Sequence, residues 1–206
     1  MYGRDWELLN EVFAPIYSPS TAIALDLLGY TGTSWNSPPG SMLEIGCGTG
    51  LIAVTAALHG CERVVAADVN PQAVRNAALN AARQGVAGTV RAVESDLFDG
   101  LGDERFELVF WSSNYVLAPD GYEYRNPHER AYVDPGYATH RRFLREAPSR
   151  LTAEGRVLLH FSSRGDQELL ERIAKENDRE LRVAGRREVR EGDHLVEHVL
   201  LDVIPT

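Results

Sequence analysis

The feature that most constrains the fold is a short apolar strand that runs directly into three glycines at alternate positions. Residues 43–50 have the sequence LEIGCGTG and continue into an apolar helical stretch. Because glycine lacks a Cβ atom, the chain can turn sharply there and direct its amide N–H groups at a ligand. In open α/β sheets, ligands bind in the crevice at this edge. The pattern predicts a parallel sheet with a ligand site at residues 46–50.

The rest of the chain supports an α/β fold, since short β-type runs alternate with helical stretches from Met42 onward. Residues 191–193 contain Gly192 and predict a turn, so the sheet ends in an antiparallel β-hairpin. We expect residues 1–41 to be an N-terminal helical segment and linker, and residues 42–206 to be one compact domain. The predicted strands are 42–45, 63–67, 89–93, 106–111, 156–161, 180–189 and 195–204, and the predicted helices are 2–14, 20–28, 50–60, 71–84, 141–151 and 167–177.

Charge and composition exclude several classes of function. The chain has 21 Lys and Arg against 30 Asp and Glu, a net charge of −9, which disfavours a nucleic-acid surface. No apolar run is long enough to cross a bilayer, and the first residues lack an export signal. Cys47 and Cys61 match neither a zinc site nor a disulfide framework. We expect a cytoplasmic protein without metal, membrane or nucleic-acid partners.

An acidic residue at the end of the second predicted strand indicates what the glycines hold. Asp68 lies 22 positions after Gly46, where a carboxylate can accept hydrogen bonds from ribose hydroxyls. A dinucleotide site would prefer the spacing G-x-G-x-x-G, whereas the third glycine here, Gly50, comes one residue early. Glu44 suits a cationic amino-acid group better than a pyrophosphate. Together these residues favour S-adenosylmethionine over a nicotinamide cofactor.

At these positions the chain resembles the class I S-adenosylmethionine-dependent methyltransferases, whose first motif is E/D-x-G-x-G-x-G. The resemblance implies an enzyme with a Rossmann-like seven-stranded sheet, helices on both faces and an antiparallel last strand. It places the ribose at Asp68 and the adenine beside Val69, Asn70 and Asp96. The cofactor-binding residues predicted in this way are Thr21, Glu44, Gly46, Cys47, Gly48, Gly50, Asp68, Val69, Asn70, Asp96, Leu97 and Ser112.

Within this class, five local runs look like the glutamine methyltransferases that modify release factors and ribosomal proteins. These runs are residues 15–21, 67–74, 76–80, 95–98 and 106–110. The hallmark of that branch is N-P-P-Y, whose asparagine amide and proline carbonyl accept hydrogen bonds from a planar NH₂ group. The corresponding residues here are Ser112, Ser113, Asn114 and Tyr115, so only the tyrosine is kept. Because Ser112 replaces the asparagine, we expect glutamine and DNA-adenine methylation to be disfavoured.

Residues 120–140 form a long segment with four of the eight tyrosines and two of the six histidines. Long loops in compact domains tend to be lids or binding loops. We expect this one to close over the transferred methyl group. The predicted substrate-binding residues are Tyr17, Tyr122, Tyr124, Arg125, Tyr132 and Tyr137, and the predicted catalytic residues are Asn114, Tyr115 and His128, with His140 as a further candidate base.

The leading hypothesis is in-line methyl transfer from S-adenosylmethionine to an oxygen or nitrogen of a small-molecule acceptor. The intact cofactor pattern, the altered N-P-P-Y position and the aromatic lid favour it. Three alternatives stay open. They are a protein-glutamine N-methyltransferase with a rebuilt motif, an enzyme that cyclises S-adenosylmethionine and releases methylthioadenosine, and a non-catalytic cofactor-binding protein. The sequence does not indicate the oligomeric state.

Overall fold

The computed structural model describes residues 3–31 and 38–206 and contains a seven-stranded mixed sheet. The strands are β1 (Ser41–Ile45), β2 (Arg63–Asp68), β3 (Val90–Glu94), β4 (Phe106–Ser112), β5 (Val116–Ala118), β6 (Val133–Pro135), β7 (Leu151–Ser162), β8 (Arg179–Glu191) and β9 (His194–Pro205). The order across the large sheet is β3-β2-β1-β4-β7-β9-β8, and β9 runs antiparallel to both of its neighbours. The predicted Rossmann-like sheet with a terminal hairpin is therefore confirmed.

Helices cover both faces of the sheet. They are α1 (Ser20–Leu27), α2 (Leu51–Leu58), α3 (Pro71–Arg83), α4 (Ala138–Glu146) and α5 (Gln167–Glu176), with 3₁₀ turns at Pro15–Tyr17, Pro127–Ala131 and Ala147–Arg150. Alternate residues of β1 face opposite cores. Met42 packs with α1, α2 and α3, whereas Leu43 packs with α4 and α5. Since both faces are buried there, the central strands β1, β2 and β4 are apolar along most of their length, as in other parallel sheets.

The N-terminal prediction is wrong in one part. We expected a helix over residues 2–14, but residues 3–14, which we call the strap, contain no helix. The second predicted helix is present as α1. Residues 1–2 and 32–37, which include the start of the first predicted helix and half of the linker, lie outside the described residues.

The segment after β4 is more ordered than a simple loop. We call residues 114–137 the lid. Its strands β5 and β6 pair in parallel, which the sequence did not predict, and the turn Pro127–Ala131 lies between them. The helix expected over 141–151 begins earlier, at Ala138, and ends at Glu146, because Pro148 follows two residues later and cannot continue it. The lid therefore runs straight from the end of β4 into α4.

Candidate functional site

The glycine loop connects β1 to α2 at the carboxyl edge of the sheet. Gly46, Gly48 and Gly50 have φ angles of +64°, +52° and +75°, a region that residues with a side chain rarely adopt. A Cβ atom on Gly50 would lie 2.7 Å from the Cβ of Ala77 on α3. Gly50 thus allows α2 to approach α3 closely. The loop amides remain at the edge of a cavity lined by Gly46, Gly48 and their neighbours.

Asp68 ends β2 beside this loop, as predicted. Its carboxylate accepts hydrogen bonds from the backbone N–H groups of Gly48 and Asn70, each at 2.9 Å. Burial raises the pKa of Asp68, and the two backbone bonds oppose that shift. Asn70 caps α3 by accepting a hydrogen bond from the N–H of Gln72. The carboxylate therefore both holds the loop in place and lines the cavity.

Glu44 lies on β1 beneath the loop and is only 2% exposed. Its Oε2 atom accepts a hydrogen bond of 2.8 Å from the N–H of Ala53, in the first turn of α2. Burial raises the pKa of Glu44 well above its ordinary value, and the charge of Asp68 adds to the shift. Two acidic side chains thus line the same cavity, which suits a ligand with hydroxyl and ammonium donors.

The strap covers this part of the site. The side chain of Asn80 accepts a hydrogen bond from the N–H of Glu7 and donates to the carbonyls of Glu7 and Thr49. Asn76 bonds the N–H of Leu9 and the carbonyl of Glu7 in the same way. The side-chain amides of Asn76 and Asn80 on α3 thus provide hydrogen-bond partners for backbone N–H and C=O groups of the strap. These groups therefore do not need the hydrogen bonds of a helix. The strap then brings Phe13 to the cavity.

Strap and lid meet above the cavity. The rings of Phe13 and Tyr132 lie 5.4 Å apart, and the Nε2 atom of His128 is 3.1 Å from the hydroxyl oxygen of Tyr132. Phe13, His128 and Tyr132 all line the cavity. We call these three residues the roof. The site is therefore closed from above by residues that lie more than 110 positions apart in the chain.

Most of the predicted site residues lie together in this cavity. The predicted residues that line it are Thr21, Glu44, Gly46, Cys47, Gly48, Asp68, Val69, Asn70, Asp96, Leu97, Ser112, Asn114, Tyr115, Tyr124, His128 and Tyr132. At its rim, the carboxylate of Asp96 pairs with Arg142 of α4 at 2.9 Å. Asp96 therefore already has a charged partner, which the predicted contact with adenine did not take into account.

Five predicted residues do not line the cavity in the described part of the chain. Gly50 packs on α3, and Tyr17 is 85% exposed. Tyr122 and Arg125 both bond the carboxylate of Glu129 and hold the lid together. Tyr137 is fully buried; its hydroxyl donates to the carbonyl of Tyr115 and accepts from the N–H of Asp166. For Tyr137, the structure indicates support of the lid and not contact with a substrate.

The candidate base His140 is also buried away from the cavity lining. Its Nδ1 atom lies 2.6 Å from the carboxylate of Asp134, and both side chains are fully buried. Burial lowers the pKa of His140, although Asp134 opposes the shift. The ring packs against Trp111 and Tyr137. His140 therefore links α4 to the lid strand β6.

The altered motif after β4 carries two acceptor oxygens. The Oγ atom of Ser112 lies 2.9 Å from the Nδ1 atom of His160. The Nδ2 atom of Asn114 donates to the carbonyls of Arg130 and Val133, at 3.2 and 2.9 Å. Its Oδ1 atom is buried and has no hydrogen-bond partner among the described residues. Ser112 and Asn114 are both among the residues that line the cavity.

His160 and His198 were missed by the sequence analysis. Both are fully buried, and their Nε2 and Nδ1 atoms lie 3.1 Å apart. The available signal was one histidine within each of two largely apolar predicted strands, at 156–161 and 195–204. A buried polar side chain needs a hydrogen-bond partner, which makes such residues informative.

Comparison with known proteins gives consistent results. The family model for ribosomal protein L11 methyltransferase (PrmA) matches residues 18–112. A release factor glutamine methyltransferase of Cereibacter sphaeroides is 33% identical over 174 residues, which are 79% of this chain and 58% of the relative. A candidate protein N5-glutamine methyltransferase of Methanocaldococcus jannaschii is 30% identical over 135 residues, 64% of this chain and 67% of the relative.

Other similarities are shorter. A ribosomal protein L11 methyltransferase of Pelotomaculum thermopropionicum is 48% identical over 72 residues, 35% of this chain and 23% of the relative. This chain therefore spans less than two thirds of the length of two of these three relatives.

Solved structures show the same fold. A ribosomal protein L11 methylase of Lactobacillus delbrueckii subsp. bulgaricus superposes with a TM-score of 0.61 at 18% identity, over 90% of this chain and 78% of that one. The N-methyltransferase NodS of Bradyrhizobium japonicum, bound to S-adenosyl-L-homocysteine, gives 0.60 at 18% identity, over 94% and 92%. In the described part of our chain, the longest helices are too short or too polar to span a bilayer.

Proposed function

This chain belongs to the class I S-adenosylmethionine-dependent methyltransferases, and from that premise we propose that it methylates the nitrogen of a primary carboxamide, with a protein glutamine as the acceptor. The observation that carries the proposal is Asn114, which lines the cavity and whose buried Oδ1 atom has no hydrogen-bond partner among the described residues. A buried acceptor without a partner costs roughly 1–3 kcal/mol. An N–H group of the acceptor would recover that energy.

The orientation of Asn114 supports this role. Because its Nδ2 atom donates to two lid carbonyls, the amide cannot be turned over without losing both bonds. Its Oδ1 atom is therefore fixed as an acceptor. The N-P-P-Y motif of the glutamine methyltransferases uses an asparagine oxygen in this way. Here an asparagine two positions later offers the same chemistry from a loop without prolines.

The names of the relatives favour glutamine over a small molecule. The match to the release factor enzyme extends over 79% of this chain, well beyond the cofactor loop. This differs from our sequence-based expectation, which gave more weight to the loss of N-P-P-Y than to the surrounding runs. A glutamine in a translation protein also implies that the enzyme works in the cytoplasm.

The residues present fit the methyl donor. S-adenosylmethionine supplies, when bound, an electrophilic methyl carbon on a sulfonium. The carboxylate of Asp68 would hold ribose hydroxyls, the glycine-loop amides offer donors, and Glu44 is a second acidic side chain in the cavity lining. Phe13, His128 and Tyr132 line the cavity where the strap meets the lid. Asn114 orients the acceptor nitrogen, which is the main task in an in-line transfer.

A small-molecule acceptor is the second candidate, and the roof favours it. The contact between Phe13 and Tyr132 closes the cavity from above, so a glutamine side chain must enter beside it or displace it. A free metabolite is smaller and would bind beneath that contact without displacing it.

Mass spectrometry distinguishes these readings. The protein is incubated with S-adenosylmethionine and, separately, with purified release factor, ribosomal proteins L11 and uL3, and a small-molecule extract. We expect one methylated glutamine and accumulation of S-adenosylhomocysteine. Methylation of extract components alone would support the second candidate. Methylthioadenosine formed without any acceptor would indicate cyclisation of the cofactor, and binding without turnover would indicate a non-catalytic protein.

Variants test the role of Asn114 in the same assay. We expect Asn114→Ala to reduce turnover by about 100-fold, in the range found for a group that orients a reacting atom. Glu129→Gln is the matched control, because it weakens the lid outside the cavity by loosening Arg125 and Tyr122. If both variants lose the same fraction of the turnover of the unmodified protein, Asn114 acts only by stabilising the lid.

A further inference from the structure

A chain of hydrogen bonds leads from the cavity wall across the sheet. The Oγ atom of Ser112 lies 2.9 Å from the Nδ1 atom of His160. The Nε2 atom of His160 in turn lies 3.1 Å from the Nδ1 atom of His198. The Nε2 atom of His198 lies 3.1 Å from the Oε1 atom of Glu191, whose other oxygen pairs with Arg164 at 2.7 Å. We call Ser112, His160, His198 and Glu191 the histidine chain.

The sheet topology creates this chain. Ser112 ends β4, His160 is on β7, His198 is on β9 and Glu191 ends β8, and these four strands are neighbours in that order. The two imidazole rings are nearly parallel, with an interplanar angle of 15°, and both are completely buried. Glu191 is largely buried at the far end, where Arg164 reaches solvent. Only Ser112 lines the cavity.

The carboxylate at the far end fixes the direction of every bond. The carboxylate of Glu191 accepts, so His198 donates to it from Nε2, and in the neutral form of this ring the Nδ1 atom has no proton. His160 then donates from Nε2 to His198, which leaves its own Nδ1 atom as the acceptor for Ser112. Burial is the main cause that lowers the pKa of His160 to about 3, so this ring stays neutral. The hydroxyl hydrogen of Ser112 is therefore committed to His160.

We infer that the histidine chain makes Ser112 an obligate hydrogen-bond acceptor toward the cavity, so that the site selects acceptor molecules with an N–H or O–H donor at that position. This inference rests on the proposed function, because Ser112 and Asn114 together then offer two acceptor oxygens for the two N–H groups of a carboxamide. Ser112 touches the acceptor. His160, His198 and Glu191 are positioning residues that act through Ser112.

The first test is independent of turnover. Nitrogen-15 NMR of histidine-labelled protein reports which ring nitrogen carries the proton, and we expect Nε2–H tautomers for His160 and His198. In Glu191→Gln, the new amide can donate as well as accept, so we expect a mixture of tautomers at His198. A proton on the Nδ1 atom of either histidine in the unmodified protein would overturn the inference. His59→Gln, on the distant end of α2, identifies an unrelated signal and should leave both tautomers unchanged.

The second test is kinetic and uses release factor as the acceptor. We expect Glu191→Gln to raise the KM for release factor about tenfold, the effect of one lost hydrogen bond, while the Kd for S-adenosylmethionine changes less than twofold. Ser112→Ala should raise the same KM at least as much, and Ser112→Thr, which keeps the hydroxyl, should restore it. An unchanged KM in Ser112→Ala would refute the role of Ser112. If release factor is not methylated at all, the proposed function fails, whereas the tautomer test still decides the inference.

Discussion

The cofactor half of the cavity and its acceptor half are held in place by different kinds of contact. The cofactor half consists of the glycine loop and Asp68, and its key contacts are backbone hydrogen bonds and the close approach of Gly50 to Ala77. The acceptor half consists of the strap, the lid and the end of β4, joined by side chains such as Phe13 and Tyr132. Backbone geometry tolerates little change, whereas side-chain contacts between separate segments can be altered one at a time. We therefore expect mutations to be most severe in the first half.

The largest effect should come from Gly50→Ala, with Gly85→Ala as its matched control. Both glycines have a φ of +75°, but a Cβ atom on Gly85 would meet no heavy atom of the described residues within 4 Å. Gly85→Ala thus costs only the backbone strain, about 1 kcal/mol. Gly50→Ala adds a clash with Ala77 and should lower the free energy of unfolding by about 3 kcal/mol. Urea unfolding measures both values, and equal losses would contradict the close packing of α2 on α3.

The next effect concerns affinity. Asp68→Ala removes a buried carboxylate that lines the cavity and braces the glycine loop. We expect the Kd for S-adenosylmethionine, measured by calorimetry, to rise about 100-fold, since hydrogen bonds to a charged group contribute roughly 1.5–3 kcal/mol each. Asp26→Ala is the control, because Asp26 pairs with Arg187 on the surface and lies outside the cavity. Unchanged affinity in Asp68→Ala would mean that the cofactor does not contact this edge of the sheet.

The roof should be less sensitive. Phe13→Ala removes the ring contact with Tyr132, and aromatic pairs of this kind contribute about 0.5–1.5 kcal/mol. We expect the free energy of unfolding to fall by about 1 kcal/mol, while the Kd for S-adenosylmethionine rises less than threefold. Tyr17→Ala, a nearby aromatic residue that is exposed, should have no effect. A loss as large as that of Asp68→Ala would show that the two halves do not differ in sensitivity.

The smallest effect should be a dependence of cofactor affinity on pH. The ionised form of Asp68 accepts hydrogen bonds, and burial raises its pKa, so affinity should fall on acidification at a higher pH than for an ordinary aspartate. We expect a change of about threefold per half pH unit at most, because one proton is involved. Asp68→Asn does not titrate and should flatten the profile. A slope that remains in Asp68→Asn belongs to another group, such as Glu44.

The cofactor half could be predicted from the sequence because each of its parts is local. Strand, glycines and helix are contiguous in residues 43–50, and Asp68 follows the next strand at a fixed distance. The strap could not be predicted in the same way. Its apolar residues have a helix-like spacing, but its backbone is bonded by Asn76 and Asn80, which lie about seventy positions away. Tertiary contacts of this kind override local preference.

In the acceptor half, the role of each residue depends on where its side chain points, which amino-acid composition does not determine. The four tyrosines of residues 120–140 suggested an aromatic binding surface, yet only Tyr124 and Tyr132 of these four line the cavity, while Tyr137 is buried and bonds the carbonyl of Tyr115. The pairing of His160 with His198 depends on the register of β7 and β9, in which Leu200 lies opposite His160. A strand pattern fixes which residues share a face, but it does not fix that register.

The hairpin of β8 and β9 has a consequence for the order of assembly. Among the described strands, β8 pairs only with β9, and the two are joined by the short turn at Gly192. The residues that pair between β9 and β7, in contrast, lie about forty positions apart in the chain. Local hairpins form within microseconds, and distant pairings follow more slowly. We therefore expect the hairpin to form before β9 docks on β7, so that His198 and Glu191 reach the sheet together. The glycine loop and Asp68 belong to β1 and β2, with which the hairpin does not pair, whereas the hydrogen-bond chain that orients Ser112 is complete only after that docking.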